Sequence, residues 1–193
     1  MNSARKPFWI ALGIAAIAIL YVGSVYNGLV GSSESVKSAW AQVETQYQRR
    51  FDLVPNLVRT VQGAAQFEQS TITAVTQARS GWQGAGSRQA QIAAARAFDS
   101  ALSRLLVTVE AYPQLQATQS FRDLMTQLEG TENRIGVARK YYNDAVQGYN
   151  VRVKRFPTNV LASMFGFAPE TFFESTEGSD TAPAVDFGTS SSL

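Results

Sequence analysis

An all-α chain on a single membrane span is what this sequence predicts, and three observations carry that expectation. Phe8 to Val25 reads FWIALGIAAIAILYVGSV without a charge. Beyond it, apolar residues recur in steps of three and four over three long segments, the spacing of one helical face. No segment alternates polar and apolar with period two, so no sheet is expected.

The apolar run comes first. About 20 apolar residues cross a bilayer core, and Tyr26 extends the run. Arg5 and Lys6 precede it, which by the positive-inside rule places residues 1–7 in the cytoplasm, 8–26 in the membrane and the remainder outside. Trp9 and the pair Tyr21 and Tyr26 lie near the two ends, where amphipathic rings favour the interface. The competing reading is a cleaved signal peptide ending near Val22 and Ser24; the run exceeds the usual ~7–15 residues of such a segment, so retention is expected. The localisation that follows is a bacterial inner membrane protein, single-pass, with an extracytoplasmic body.

Gly28, Gly31, Ser32 and Ser33 predict a break, with Ser33 as N-cap of a new helix and Glu34 in its first turn. A seam then runs Val36, Trp40, Val43, Tyr47, Phe51, Val54, Val58, Val61, Ala65, Ile72 and Val75. It has one extra step of four, between Tyr47 and Phe51, followed at once by Pro55, which removes a helix hydrogen bond and predicts a kink. Gly81 to Ser87 reads as a loop. Ile92, Ala95, Phe98, Leu102, Leu105, Val109 and Tyr112 mark a second long helix ended by Pro113. The third carries Phe121, Leu124, Leu128, Thr131, Ile135, Ala138, Tyr142, Ala145, Tyr149 and Val153, ending at Phe156-Pro157. Val160–Phe167 predicts a short apolar fourth helix. The expected architecture is an elongated antiparallel bundle over 27–174 with coiled-coil-like packing, followed by a disordered acidic tail over 175–193.

Composition narrows function by what it lacks. The chain has no cysteine and no histidine. Disulfides, thiol nucleophiles, His-based triads and the usual zinc and di-iron ligand sets are thereby removed. The formal net charge is only +2, without a basic face of the kind that tracks nucleic acid. The expectation is a non-enzyme with no cofactor, no metal site and no nucleic-acid partner.

Two polar clusters and a repeat stand out. Arg49, Arg50, Asp52 and Asn56 surround Pro55, with Arg49 and Asp52 three apart and Asp52 and Asn56 four apart on one face. They read either as an anion site or, in preference, as structural partners for the carbonyl freed by Pro55, with Asp52 pairing a buried arginine. Glu129, Glu132 and Asn133, with Arg134 and Arg139, form the second cluster; interhelical pairing is preferred over cation binding. Tyr142-Asn143 and Tyr149-Asn150 are seven apart on one stripe, suited to core packing with hydrogen-bonded tips. Arg152, Lys154 and Arg155 complement a helix C-terminus, or meet an anionic partner or lipid headgroups.

YNGLV at Tyr26–Val30, QRRFDLVPNLV at Gln48–Val58, YPQLQA at Tyr112–Ala117, LEGTENRI at Leu128–Ile135, YNDAVQGYN at Tyr142–Asn150 and FPTNVLASMFGF at Phe156–Phe167 together resemble the LemA family. The resemblance spans Tyr26 to about Glu174. Phe67-Glu68 departs from the family's usual His-Glu. It implies a bacterial membrane-anchored helical protein related to proteins of magnetosome membranes, and carries over no catalytic residue or cofactor.

Helix lengths add a last expectation. At 1.5 Å per residue, Glu34–Ser80, Arg88–Tyr112 and Gln114–Phe156 would run about 70, 38 and 64 Å. A middle helix that short leaves apolar stripes projecting at either end. The predicted consequence is a homo-oligomer sealed through Val36, Trp40, Val43, Tyr47, Tyr142, Tyr149 and Val153. The functional expectation is a self-associating envelope scaffold; the alternative is an adaptor or regulator for a membrane protease or another envelope protein.

Overall fold

The computed structural model describes residues 5–63 and 68–173. Among them are six helices and no strand: α1 (Arg5–Gln62), α2 (Gln69–Gln83), α3 (Arg88–Val109), α4 (Pro113–Gln116), α5 (Gln119–Lys154) and α6 (Thr158–Met164). The acidic tail and Ala65 lie outside the described residues. The all-α expectation holds.

The first departure is the length of α1. It runs 58 residues without the break expected at Gly28–Ser33. Glycines weaken a helix by up to about 1 kcal/mol each but do not end it. Here Ser32 Oγ donates to the Gly28 carbonyl at 2.9 Å and Ser35 Oγ to the Gly31 carbonyl at 2.9 Å, so the serines are absorbed into the helix surface. Gly28 also makes room. A β-carbon there would lie 3.4 Å from Arg152 Nη1, which donates to the Gly28 carbonyl at 3.2 Å. Pro55 sits exposed within α1, and the helix continues to Gln62 beyond it. Past the proline the buried face passes through Leu57 rather than Val58.

The second departure is the bundle's topology. The expected 34–80 helix is two: α1 ends at Gln62, and α2 begins at Gln69 and descends beside α3. α1 and α5 are antiparallel, with Gly28 beside Arg152 and Arg50 beside Thr131. The distal half is therefore an up-down-up-down four-helix bundle of α1, α2, α3 and α5. Trp82, expected in a loop, belongs to α2 and is buried against Tyr47 (ring centroids 4.8 Å apart) and Trp40 (6.1 Å). Ser87 caps α3 by accepting from Ala90 N–H at 3.2 Å, and Thr118 caps α5 by accepting from Phe121 N–H at 3.3 Å.

The third departure follows. The two halves expected to project from opposite ends of a hairpin pack on each other in one chain. Val36, Trp40, Val43, Tyr47, Tyr142, Tyr149 and Val153 are all buried within it. The exposed stripes that motivated an oligomer seam at these residues do not exist, because α1 and α5 cover one another.

Along Trp9–Tyr21, by contrast, the large apolar side chains stand exposed. The helix that carries them is long and apolar enough to cross a membrane.

Candidate functional site

At the heart of the four-helix half, charge enters the core. Arg50 of α1 is 2% exposed. Its Nη1 donates to Asp99 Oδ1 of α3 at 3.0 Å, its Nε to Thr131 Oγ1 of α5 at 3.3 Å, and its Nη2 to Glu132. Asp99 accepts on its other oxygen from Arg139 of α5 and from the Tyr47 hydroxyl, the latter at 2.9 Å. Arg139 also donates to Tyr47. Two guanidiniums and two carboxylates thus balance across three helices. A buried charge without a partner is expensive, so this arrangement fixes which turn of α1, α3 and α5 can face which. Burial pushes the Tyr47 hydroxyl well above its ordinary value, with the Asp99 charge adding to that push. Burial raises Asp99 too, opposed by Arg139 and Arg50.

The two sequence clusters contribute unequally. Arg50, Glu132 and Arg139 come together. Arg49, Glu129, Asn133 and Arg134 are exposed. Asp52 is exposed as well and accepts from Gln48 Nε2 at 2.8 Å, while Asn56 accepts from its helix neighbour Arg59 at 2.5 Å. Asp52 is therefore not the arginine's counter-ion; Asp99, singled out by no motif, is. A signal for it exists. Asp99 stands four after Ala95 and three before Leu102, Arg139 four after Ile135 and three before Tyr142, Arg50 three after Tyr47 and four before Val54. Each occupies a seam position between apolar neighbours, whereas the residues three and four from Asp52 are Gln48, Arg49, Pro55 and Asn56.

Below the charge centre an extended strap, residues 168–173, returns along α5. Asn150 Nδ2 donates to the Glu170 carbonyl and its Oδ1 accepts from Glu170 N–H, both at 2.8 Å. Asn143 does the same with Phe173, at 2.9 and 2.8 Å. Tyr149 and Tyr142 hydroxyls donate to the Ala168 and Thr171 carbonyls at 2.9 and 2.7 Å. Each side-chain amide offers the donor and acceptor that a neighbouring strand would. The repeat works because two periods agree. Seven helical residues rise about 10.5 Å, and three extended residues span about 10 Å. Every Tyr-Asn step of seven on α5 meets a step of three on the strap. The hydrogen-bonded tips expected of these tyrosines have the strap's backbone as their partner.

Arg88 secures the strap from the other side through Glu170 at 2.7 Å, its guanidinium 5.7 Å from the centre of the Trp40 ring. Phe173 ends the strap inside the core, its ring 4.4 Å from the Arg139 guanidinium. That contact roofs the charge centre with an aromatic face, a favourable place for a cation. What the arrangement does chemically is hold itself: its carboxylates pair with its guanidiniums, and the Asn143 and Asn150 amides with the strap, while Arg88 Nε and Arg139 Nε are buried without a hydrogen-bond partner.

Known proteins give this architecture relatives. A LemA family model matches residues 39–187. Magnetosome protein MamQ 2 of Paramagnetospirillum magneticum is 29% identical over 87% of this chain and 71% of its own length. Magnetosome protein MamQ of Magnetospirillum gryphiswaldense is 26% identical over 92% of this chain and 76% of its own. Protein LemA of Metamycoplasma hominis is 24% identical, covering 91% and 85%.

Proposed function

The chain belongs to the LemA family, and from that premise we propose that it is a membrane-anchored, non-enzymatic envelope protein working as a self-associating helical scaffold on the extracytoplasmic face of a bacterial inner membrane. One observation carries the reading. α1 passes without interruption from the exposed apolar stretch into the body, so anchor and body are one rigid element. Beyond Tyr26 that helix extends 36 residues, about 54 Å. The charges of Arg50, Arg139 and Asp99 in its core are paired with one another, which suits a member that bears shape.

Self-association through the seven residues of the sequence-derived seam would require opening the core. A face that remains available is the outer side of the α1–α5 pair. Val137, Tyr141 and Val151 are exposed there, and Gln42 and Gln46 of α1 flank the first two. Aromatic and apolar residues within a polar surround are what interface cores favour.

The absence of native cysteine makes the test direct. Val137→Cys and Tyr141→Cys, oxidised in native membranes, are expected to give a disulfide-linked dimer, and Val107→Cys on α3 none. In spheroplasts, Thr126→Cys should react with a membrane-impermeant maleimide before lysis and Ser3→Cys only after it. Uniformly monomeric protein, by cross-linking and by light scattering in mild detergent, would exclude the scaffold and favour an adaptor.

A further inference from the structure

The membrane-proximal end carries a surface that the core leaves unexplained. After α5 the chain turns at Phe156-Pro157 and α6 packs against the lower part of α1. Val22 and Val25, inside the apolar run, are partly covered there, and the Tyr26 ring meets Phe165 at 5.0 Å and Phe167 at 6.0 Å. A cleft of about 410 Å³ is lined by Tyr21, Ser24 and Val25 of α1 and by Arg155, Phe156 and Thr158. The body therefore overlaps the end of the apolar run by more than one turn.

That overlap sets a depth. Whatever surrounds Tyr21–Tyr26 also surrounds the outward side chains of the α5–α6 corner. Those side chains are apolar: Phe156 is 77% exposed, Met164 73% and Val160 53%. Arg152 and Lys154 stand on the last turn of α5 and Arg155 follows at its end, all exposed, with Arg152 beside Gly28. Exposed apolar groups next to three long cationic side chains, at the height where an apolar helix leaves a bilayer, match the order of acyl chain and headgroup, since such side chains reach up to the interface.

We propose that the α5–α6 corner is a second membrane contact, in which Phe156, Val160 and Met164 enter the leaflet beside the span and Lys154 and Arg155, with Arg152, bind the phosphates of anionic phospholipid headgroups. This rests on the membrane-anchor reading above. The corner fixes the roll and height of the body on the bilayer, which a single span leaves free to rotate.

The test uses the full chain in phosphatidylcholine nanodiscs, with or without phosphatidylglycerol, carrying one cysteine at a time. Labelling by a membrane-impermeant maleimide is followed at Leu12→Cys in the span, Met164→Cys in the corner and Val107→Cys in the body. Protection at positions 12 and 164, with free reaction at 107, is the expected result. Phosphatidylglycerol should deepen protection at 164 alone. K154Q/R155Q, which leaves the Arg152 bond to Gly28 intact, should erase that gain, roughly fivefold in rate for each charge removed. Reaction at 164 as fast as at 107, with 12 still protected, would overturn the corner contact while leaving the anchor standing. Free reaction at 12 would overturn both. Protection at 164 indifferent to phosphatidylglycerol would overturn the assigned headgroup chemistry.

Discussion

Two buried polar sites among the described residues are built by two methods. The charge centre pairs ions: Arg50 and Arg139 converge on Asp99, with Tyr47 closing the set. The strap ladder, one helical turn away, pairs only neutral groups: Asn143 and Asn150 stand in for a neighbouring strand. The difference lies in what each must hold. Three long helices can slide past one another by a turn and keep most apolar contacts, so a charge that tolerates one alignment only is an effective register mark. A short extended strap has no such freedom, but it has backbone groups to satisfy, and an amide satisfies both at once.

Breaking each element should expose that contrast. The largest effect is expected from Asp99→Ala, which removes the carboxylate shared by Arg50 and Arg139, leaves Arg50 only Glu132 and Thr131, and should destabilise by about 3 kcal/mol; Asp52→Ala, on the solvated face of α1, should stay within about 0.5 kcal/mol. Thermal melts of the two variants side by side decide it, and equal losses would contradict the register role. Asn150→Ala or Asn143→Ala should cost less, about 1–2 kcal/mol. The damage should also be local: amide exchange should quicken at Glu170 and Phe173 while α1 and α3 stay protected. Global loss of protection in either variant would show that the strap belongs to the cooperative core.

The smallest expected effect sharpens the comparison through pH. The Tyr47 hydroxyl is raised from an ordinary value of 10.0 by burial and by Asp99. A group raised on folding contributes stability that is complete below its unfolded value and is lost as pH climbs above it, because the unfolded chain releases the proton first. Between pH 10 and 11 the parent should therefore lose about 1 kcal/mol that Tyr47→Phe does not lose. Parallel melting curves for the two proteins across that range would rule out a protected Tyr47.

How much of this was legible in the sequence depends on what each feature competes with. The seams were readable because three-and-four spacing survives any tertiary arrangement, and the residues it picks, Trp40, Tyr47, Phe98, Ile135 and Tyr142, are the buried ones. The end of α1 was not readable, since Val61, Ile72 and Val75 keep apolar spacing from α1 into α2. Gly28–Ser33 misled in the opposite sense: a glycine beside Arg152, Gly28, looks like a glycine placed for a break. Asp52 drew attention by lying in a motif beside a proline, while Asp99 lay in an unremarked stretch of α3. Position between apolar neighbours, not proximity to a motif, separates them. The Tyr-Asn repeat was visible, but its partner is backbone, which has no sequence signature.

The unbroken α1 has one more consequence. A span and a body joined by a flexible linker tilt independently; joined by one helix, they form a lever. With the apolar stretch spanning a bilayer, as proposed above, a lean of the ~20° common for such helices moves the far end of the body, about 54 Å along α1 from Tyr26, sideways by roughly 18 Å. A change in bilayer thickness that alters the lean would then be delivered to the tip of the protein as a displacement many times larger. Torsion is transmitted in the same way. One residue inserted into α1 between span and body would turn the distal bundle by about 100° relative to the lipid-facing side of the helix.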